Sequence, residues 1–226
     1  MTAPKPSSRL DGRRLYLCTP DRIDLEAFVE ACISGGVDVV QLREKQLEAK
    51  PLLVRAQLCM RVCAAYDVPF ILNDRPDLAL ELDADGVHVG QDDAPAGLAR
   101  RIVGSGRIVG LSTHAPTELA AALAEPVDYL SAGPVVATPT KPGRPGTGLS
   151  YVTHAAQACA AAGMPMFVTG DARPATIGGL VRAGARRVVA VRWLTEADDP
   201  STAARALSDA LDRAIEEAGP PAPVRA

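Results

Sequence analysis

Residues 37–45 read VDVVQLREK. Val37, Val39 and Val40 fit a buried strand, and Gln41, Arg43 and Lys45 follow at every second position. In an extended strand, side chains at i, i+2 and i+4 share a face. An amide, a guanidinium and an ammonium are thereby lined up on one side of an otherwise apolar element. A further cation, Lys141, lies in the Gly- and Pro-rich stretch VVATPTKPGRPGTG at 135–148. Leaving a buried charge unpaired costs several kcal/mol. A single anionic ligand that meets all three cations would remove that cost. A phosphorylated one suits both side chains, since Arg offers a fork to phosphate oxygens and Lys a point charge.

Asp74 and Asp93 form the opposite set. Two carboxylates beside a phosphate would repel it unless a cation lay between them. Mg²⁺ takes carboxylate, water and phosphate oxygens and often uses only one or two protein carboxylates. The pair therefore reads as a Mg²⁺ bridge to a diphosphate. Asp93 also admits a second reading, in which it or Asp92 caps a helix that begins at Ala94-Pro95. The histidines point elsewhere. His88 lies mid-strand and reads as a hydrogen-bonded interior residue, His114 lies at a strand end, and His154 falls on a helix surface. No H-x₃-H, H-E-x-x-H or G-x-S-x-G pattern occurs, so a histidine-bound metal and a serine nucleophile have no support.

The elements that must position these groups recur in order. Eight apolar runs read as strands: RLYLCT (14–19), DVVQLR (38–43), PFILND (69–74), GVHVG (86–90), RIVGLST (107–113), DYLSAGP (128–134), PMFVTG (165–170) and RRVVAV (186–191). Helical patterns separate them, short ones in the third and fourth intervals, and a long one closes the chain with Pro200 as first helical residue behind an Asp199 cap. Alternation of strand and helix predicts a parallel sheet, and eight units predict a closed (β/α)₈ TIM barrel over 14–218. A doubly wound open sheet is the alternative. In a barrel the strand C-terminal ends share one mouth. Asn73-Asp74, Gly90 to Asp93, Ser112-Thr113-His114, Thr138 to Lys141 and Thr169-Gly170-Asp171 all fall there. The 135–148 loop is long for a compact domain, which points to function.

Composition narrows the partners. The 226-residue chain is 47% hydrophobic, enough for one substantial core. A net charge of −3 and an aromatic fraction of 4% leave neither a basic stripe nor stacking platforms for nucleic acid. No apolar run approaches the roughly 18 residues that a membrane span needs. The N-terminus has no signal-peptide pattern. Five cysteines without a C-x-x-C pair read as buried apolar residues in a reducing, cytoplasmic setting. Residues 1–13 and 219–226 read as disordered tails. Small phosphorylated molecules are the expected partners, and a homo-oligomer is compatible with the sequence.

QLREK (41–45), LND (72–74), GVHVGQDD (86–93), GLSTH (110–114), GPVVATPTKPG (133–143) and the Val-rich run after Gly184 together resemble the thiamine-phosphate synthase family, from about Leu15 to Leu211. The resemblance implies a phosphate-binding (β/α)₈ barrel. It implies transfer of 4-amino-2-methyl-5-(diphosphooxymethyl)pyrimidine onto a thiazole ethyl phosphate, with diphosphate released. It assigns the pyrimidine diphosphate to the Gln41-Leu42-Arg43-Glu44-Lys45 segment with Asn73, Ser112 and Lys141. Asp74 and Asp93 would bind Mg²⁺. Thr138, Pro139, Thr140, Gly170 and the Val191-Arg192 backbone would hold the thiazole phosphate. The implied reaction is dissociative: diphosphate leaves first and the thiazole nitrogen traps a pyrimidine cation. Such a step needs charge neutralised on the leaving group and water kept out, for which the 135–148 loop is the candidate lid.

Two positions depart from the family pattern. Asp171 stands where a second glycine is usual, and Arg192-Trp193 stands where a small serine is usual. Arg192 is expected to contact the thiazole phosphate or to pair with Asp171, unless it turns to solvent. The competing readings are a thiazole phosphate tautomerase, a phosphosugar isomerase or aldolase on the same scaffold, and a non-catalytic thiamine-precursor binding protein.

Overall fold

The computed structural model describes residues 6–138 and 145–219. Eight parallel strands close into a barrel in chain order, β8 pairing back onto β1. The strands are β1 (Leu15–Thr19), β2 (Val39–Leu42), β3 (Phe70–Asn73), β4 (Gly86–Val89), β5 (Ile108–Thr113), β6 (Tyr129–Ala132), β7 (Met166–Thr169) and β8 (Val188–Ala190). Helices α1 (Leu25–Ser34), α2 (Ala49–Ala65), α3 (Pro76–Glu81), α4 (Ala96–Val103), α5 (Pro116–Ala122), α6 (Gly148–Ala161) and α7 (Pro174–Arg182) fill the intervals. A single turn, α8 (Arg192–Thr195), and the long α9 (Pro200–Ala218) follow β8. The open-sheet alternative is thereby excluded. Proline occupies the start of α3, α5, α7 and α9, where its missing N–H leaves no intrahelical bond unmade. Asp199 caps α9, its Oδ1 accepting the Thr202 N–H at 3.0 Å. Among the described residues no helix is long and apolar enough to cross a membrane.

Side-chain alternation along each strand splits the core into two. Outward-facing residues such as Leu15, Leu17, Val40, Leu42, Leu72, Val87 and Val109 pack under the helices. Inward-facing Tyr16, Val39, Ile71, Ile108, Tyr129 and Phe167 form a separate interior cluster. The three aromatic rings there meet at tilted or edge-to-face angles with centroids 5.2–6.1 Å apart, the geometry that aromatic quadrupoles favour. Gly110 makes room for them, because a Cβ at that position would come within 2.1 Å of the Tyr129 ring.

Leu10 belongs to the same interior cluster and is fully buried. It ends a 3-10 helix, Pro6–Leu10, and Arg9 beside it pairs with Asp85 and Asp67. The expected disordered tail over 1–13 therefore does not hold for residues 6–13. A lone leucine in a polar stretch gives no periodic signal, yet it closes the N-terminal end of the barrel. Of the C-terminal tail expected over 219–226, Gly219 caps the last helix and the rest lies outside the described residues.

That closed end has its own repeated device. Asp38, Asp85 and Asp128 each immediately precede an even-numbered strand and reach sideways to the start of the strand before it. Asp38 accepts the Arg14 and Leu15 N–H groups at 2.6 and 2.9 Å. Asp85 accepts Phe70 N–H at 2.8 Å, and Asp128 accepts Val109 N–H at 2.9 Å. Backbone donors that a neighbouring strand does not reach are satisfied in this way.

Candidate active site

The C-terminal ends of the strands surround a cavity of about 560 Å³. Its floor is a chain of buried hydrogen bonds inside the barrel. Gln41 Nε2 donates to Tyr16 Oη at 2.8 Å, and Cys18 Sγ–H donates to Gln41 Oε1 at 3.2 Å. Tyr16 and Tyr129 hydroxyls meet at 3.0 Å. His88 Nδ1 lies 2.9 Å from Tyr129 Oη, and its Nε2 lies 2.9 Å from Ser112 Oγ, which in turn lies 3.5 Å from Ser131 Oγ. Burial drives the Tyr16 phenol well above its ordinary value and raises Tyr129 as well. Both hydroxyls therefore stay neutral and act only as hydrogen-bond relays. His88 is the interior, bonded residue that its mid-strand position indicates.

One wall carries the charged groups. Arg43 and Lys45 follow the end of β2, and the Arg43 N–H continues the ladder onto Thr19 O at 2.8 Å. Asn73 ends β3. Its Nδ2 is buried and has no hydrogen-bond partner among the described residues, and the side chain lines the cavity. A buried donor left unpaired costs about 1–3 kcal/mol, so this amide is set up for an acceptor that comes from outside. Asp74 follows at φ +61°, a left-handed turn that aspartate tolerates better than most residues. Its N–H bonds His88 O at 2.8 Å, which fixes the turn against β4. Asp93 Oδ2 accepts the Gly90 N–H at 3.0 Å.

Asp74 and Asp93 converge on one cation. Lys45 Nζ lies 2.7 Å from Asp74 Oδ2 and 3.5 Å from Asp93 Oδ1. Burial, reinforced by Asp93 and opposed by Lys45, raises the Asp74 carboxyl above the usual carboxylate range. At Asp93 burial works in the same sense, but the hydrogen bond with Asp74 and the Lys45 charge outweigh it and hold that carboxyl low. Two carboxylates of hard oxygen donors, one of them desolvated, already draw a positive charge to a shared point. That donor set fits Mg²⁺. No group of three or more His, Cys, Asp or Glu side chains that could hold a metal gathers among the described residues. A site of this make-up thus needs oxygens from water or ligand to complete it.

The capping reading of Asp93 is corrected. Helix α4 begins at Ala96 with Pro95 in the capping position, and the Asp93 carboxylate stabilises its own loop instead.

The opposite wall comes from β6, β7 and β8. Thr138, Gly170, Asp171, Ala172, Arg173, Val191, Arg192 and Trp193 line it. Gly170, at φ +101°, lets this loop press on its neighbour, since a Cβ there would meet Val135 N at 2.4 Å. Asp171, at φ +61°, occupies a conformation that favours glycine. Its carboxylate forms a two-point ion pair with Arg173, Nε to Oδ1 at 2.9 Å and Nη2 to Oδ2 at 3.2 Å. The expected Arg192–Asp171 pair is therefore not formed. Arg192 is left at the exposed rim of the cavity, and Trp193 Nε1 anchors α8 to α9 by donating to Ala203 O at 2.9 Å.

The structure brings Arg43, Lys45, Asn73, Asp74, Asp93, Ser112, Thr138, Gly170, Val191 and Arg192 onto one cavity. Gln41 joins them at the floor, below the charged wall. Two other expected residues lie off the cavity. Leu42 is fully buried between strand and helix layers, because a one-residue step in a strand reverses the face. Glu44 folds back to accept the Gln46 N–H at 2.8 Å. Pro139, Thr140 and Lys141, and with them the centre of the candidate lid, lie outside the described residues. Sequence reasoning passed over Tyr16, Cys18, Tyr129, Ser131 and Arg173. The tyrosines carried a signal, since a phenol inside an apolar strand needs a hydrogen-bond partner. Arg173 carried none.

A closed parallel barrel with a polar, charged cavity at its strand C-termini defines a (β/α)₈-barrel enzyme. Residues 15–194 match the family model described as thiamine monophosphate synthase. A thiamine-phosphate synthase of Thermus thermophilus is 48% identical over 203 residues, covering 88% of this chain and 97% of that one. That of Acidothermus cellulolyticus is 46% identical over 199 residues, covering 86% and 93%. The chain belongs to the thiamine monophosphate synthase family. Among solved structures, a thiamine phosphate pyrophosphorylase from Pyrococcus furiosus superposes with a TM-score of 0.81 over 92% of this chain and 98% of that one, at 24% identity. A 3-hexulose-6-phosphate synthase shares the barrel at a TM-score of 0.63.

Proposed function

We propose that this protein joins 4-amino-2-methyl-5-(diphosphooxymethyl)pyrimidine to thiazole ethyl phosphate, forming thiamine phosphate and diphosphate. The observation that carries the reading is the convergence of Arg43, Lys45, Asn73, Asp74, Asp93 and Ser112 on one cavity, in a chain of this family. The C–O bond to the diphosphate breaks with its electron pair leaving on oxygen, and the thiazole nitrogen lone pair forms the new C–N bond. No proton is abstracted and no protein nucleophile is required. Arg43 and Lys45, with Lys141, hold the departing diphosphate. Asn73 Nδ2 supplies a neutral donor to the same substrate, and Gln41 and Ser112, locked by the floor network, set the depth at which the pyrimidine sits.

Asp74 and Asp93 would hold Mg²⁺, which bound there supplies charge neutralisation on the leaving group. Lys45 would then be released from the carboxylates to the diphosphate. Thr138, Pro139, Thr140, Gly170 and the Val191-Arg192 segment receive the thiazole phosphate. The buried thiols, Cys32 and Cys59 pushed up to about 12 by burial and Cys159 to about 11, are inert, which accords with a reducing cytoplasm. Mixing both substrates with Mg²⁺ tests the assignment. Stoichiometric release of diphosphate with formation of thiamine phosphate is expected, whereas a tautomerase or a ligand sensor on this barrel would release none.

A further inference from the structure

At the end of the barrel opposite the mouth, two Arg-Arg pairs stand side by side. Arg13-Arg14 lead into β1 and Arg186-Arg187 lead into β8. The parallel register places Leu15 beside Val188, so the two pairs meet rung for rung. All four arginines line a groove of about 490 Å³, within the size range of small-molecule sites. Their partners are unequal. Arg14 pairs with Asp212 at 2.6 Å, and Arg13 reaches Asp67 O at 2.7 Å and its carboxylate at 3.6 Å. Arg186 donates only to the carbonyls of Val181, Ala185 and Gly219, and Arg187 Nε donates to Arg13 O. Neither has a carboxylate ion pair among the described residues. Among the described residues, Glu216 is the only acid in the lining. Burial and the adjacent Arg14 charge pull the Arg187 guanidinium below its ordinary value, against Asp11 and Asp38. Four forked donors crowd around one groove and two of them lack a carboxylate ion pair, which leaves a surplus of positive charge that favours an anion there.

We propose that this groove is a second anion-binding site, distinct from the mouth, that takes the phosphate or diphosphate group of a small molecule. It stands independently of the reaction proposed above. The terminal N–H groups of Arg187, with the donors that Arg186 keeps beyond its three carbonyl bonds, grip the oxyanion, and Arg13 and Arg14 supply the surrounding field. Nothing at the site is positioned for bond making or breaking, so its role is binding.

Titration calorimetry with inorganic diphosphate, in low-salt buffer with a chelator, tests it on the full chain. Arg43→Ala removes a principal anion contact at the mouth. That variant should still take up about one equivalent of diphosphate saturably. Adding Arg186→Gln should weaken this remaining binding about tenfold or more. Gly12→Asp provides a second route that spares every arginine. Gly12 borders the groove at φ +75°, and a Cβ there meets nothing within 4 Å. Aspartate tolerates that left-handed backbone better than most residues and would set a competing carboxylate beside the arginines. It too should weaken binding about tenfold. The proposal is overturned if Arg43→Ala shows no saturable uptake, or if both added substitutions leave its affinity within a factor of about two.

Discussion

The aspartates at the two ends of the barrel are held in different states of satisfaction. At the N-terminal end, Asp38, Asp85 and Asp128 accept backbone N–H groups from neighbouring strands, and Arg9 and Arg100 pair with Asp85 and Asp128. At the C-terminal mouth, Asp74 and Asp93 face each other across a lysine, and Asn73 Nδ2 has no partner among the described residues. An acid whose lone pairs are filled by fixed donors stabilises the fold. An acid held near another acid, beside an open cavity, carries an unfavourable energy that a ligand or metal can relieve. Charge alone therefore does not mark a site; incomplete pairing does.

The sharpest way to break the contrast is at Arg43, on the mouth side. Arg43→Ala should lower kcat/KM by roughly 10- to 100-fold, since a charge-assisted contact is worth about 1.5–3 kcal/mol. Its melting temperature should stay within about 2 °C of the wild type. Steady-state kinetics with a thermal melt on the same sample decide it, and a variant that melts early with normal turnover would invert the assignment. The counterpart at the closed end is Asp128→Ala. It strands the Val109 N–H and takes the carboxylate partner from the partly buried Arg100 guanidinium, which keeps its carbonyl bonds. A loss of about 2 kcal/mol is expected, seen as a fall of about 4–8 °C in Tm, with kcat/KM unchanged within about twofold.

A smaller effect is expected at Asp74. Asp74→Asn removes one oxygen of the proposed Mg²⁺ site and should raise the Mg²⁺ concentration for half-maximal activity several-fold. Burial and Asp93 both disfavour the charge at this position, so the same variant should melt no lower than the wild type. A Mg²⁺ dependence identical to wild type would remove Asp74 from the metal site. Arg192→Ser belongs to the same scale. Arg192 is not engaged by Asp171, so its loss should raise KM for the thiazole substrate several-fold, and an unchanged KM would take it out of the phosphate pocket.

Much of this arrangement is legible in the letters. The eight strands stand out because parallel strands buried on both faces leave short continuous apolar runs. Gln41, Arg43 and Lys45 reach one cavity because period-2 alternation carries past the end of β2. The same rule explains why Leu42, one step out of phase, points into the helix layer. The Asp before β2, β4 and β6 is also written plainly, as Val-Asp-Val, Ala-Asp-Gly and Val-Asp-Tyr. It becomes meaningful only once the register sets each carboxylate beside the neighbouring strand's first amides. What stays hidden depends on long-range geometry. Leu10 has no periodic companions and is recognised only by the hole it fills. The Asp171–Arg173 pair depends on a left-handed turn at Asp171 that sequence reasoning had no local rule to demand, and so Arg192 appeared to be the natural partner.

The finest probe of the contrast is Asp38, an acid at the closed end that is bonded but desolvated. Burial outweighs the two N–H bonds it accepts and pushes its carboxyl up to about 6. In the unfolded chain an aspartate titrates near 4. The folded state thus holds the proton more tightly, and the stability this contributes is fully present below about pH 4 and lost as pH rises through about 6. Asp38→Asn cannot ionise and should lack that slope. It also keeps only one acceptor for two backbone donors, so it should be less stable than the wild type at every pH. The gap between the two proteins should then widen as pH falls from 7 to 5, by an amount of the order of 1 kcal/mol once solvent screening is allowed for. Urea denaturation at the two pH values measures it. A gap that narrows toward acid would mean that the bonds from Arg14 and Leu15 dominate over burial. Asp38 would then be a fully satisfied acid with a depressed pKa, and the line between the two ends of the barrel would be sharper still.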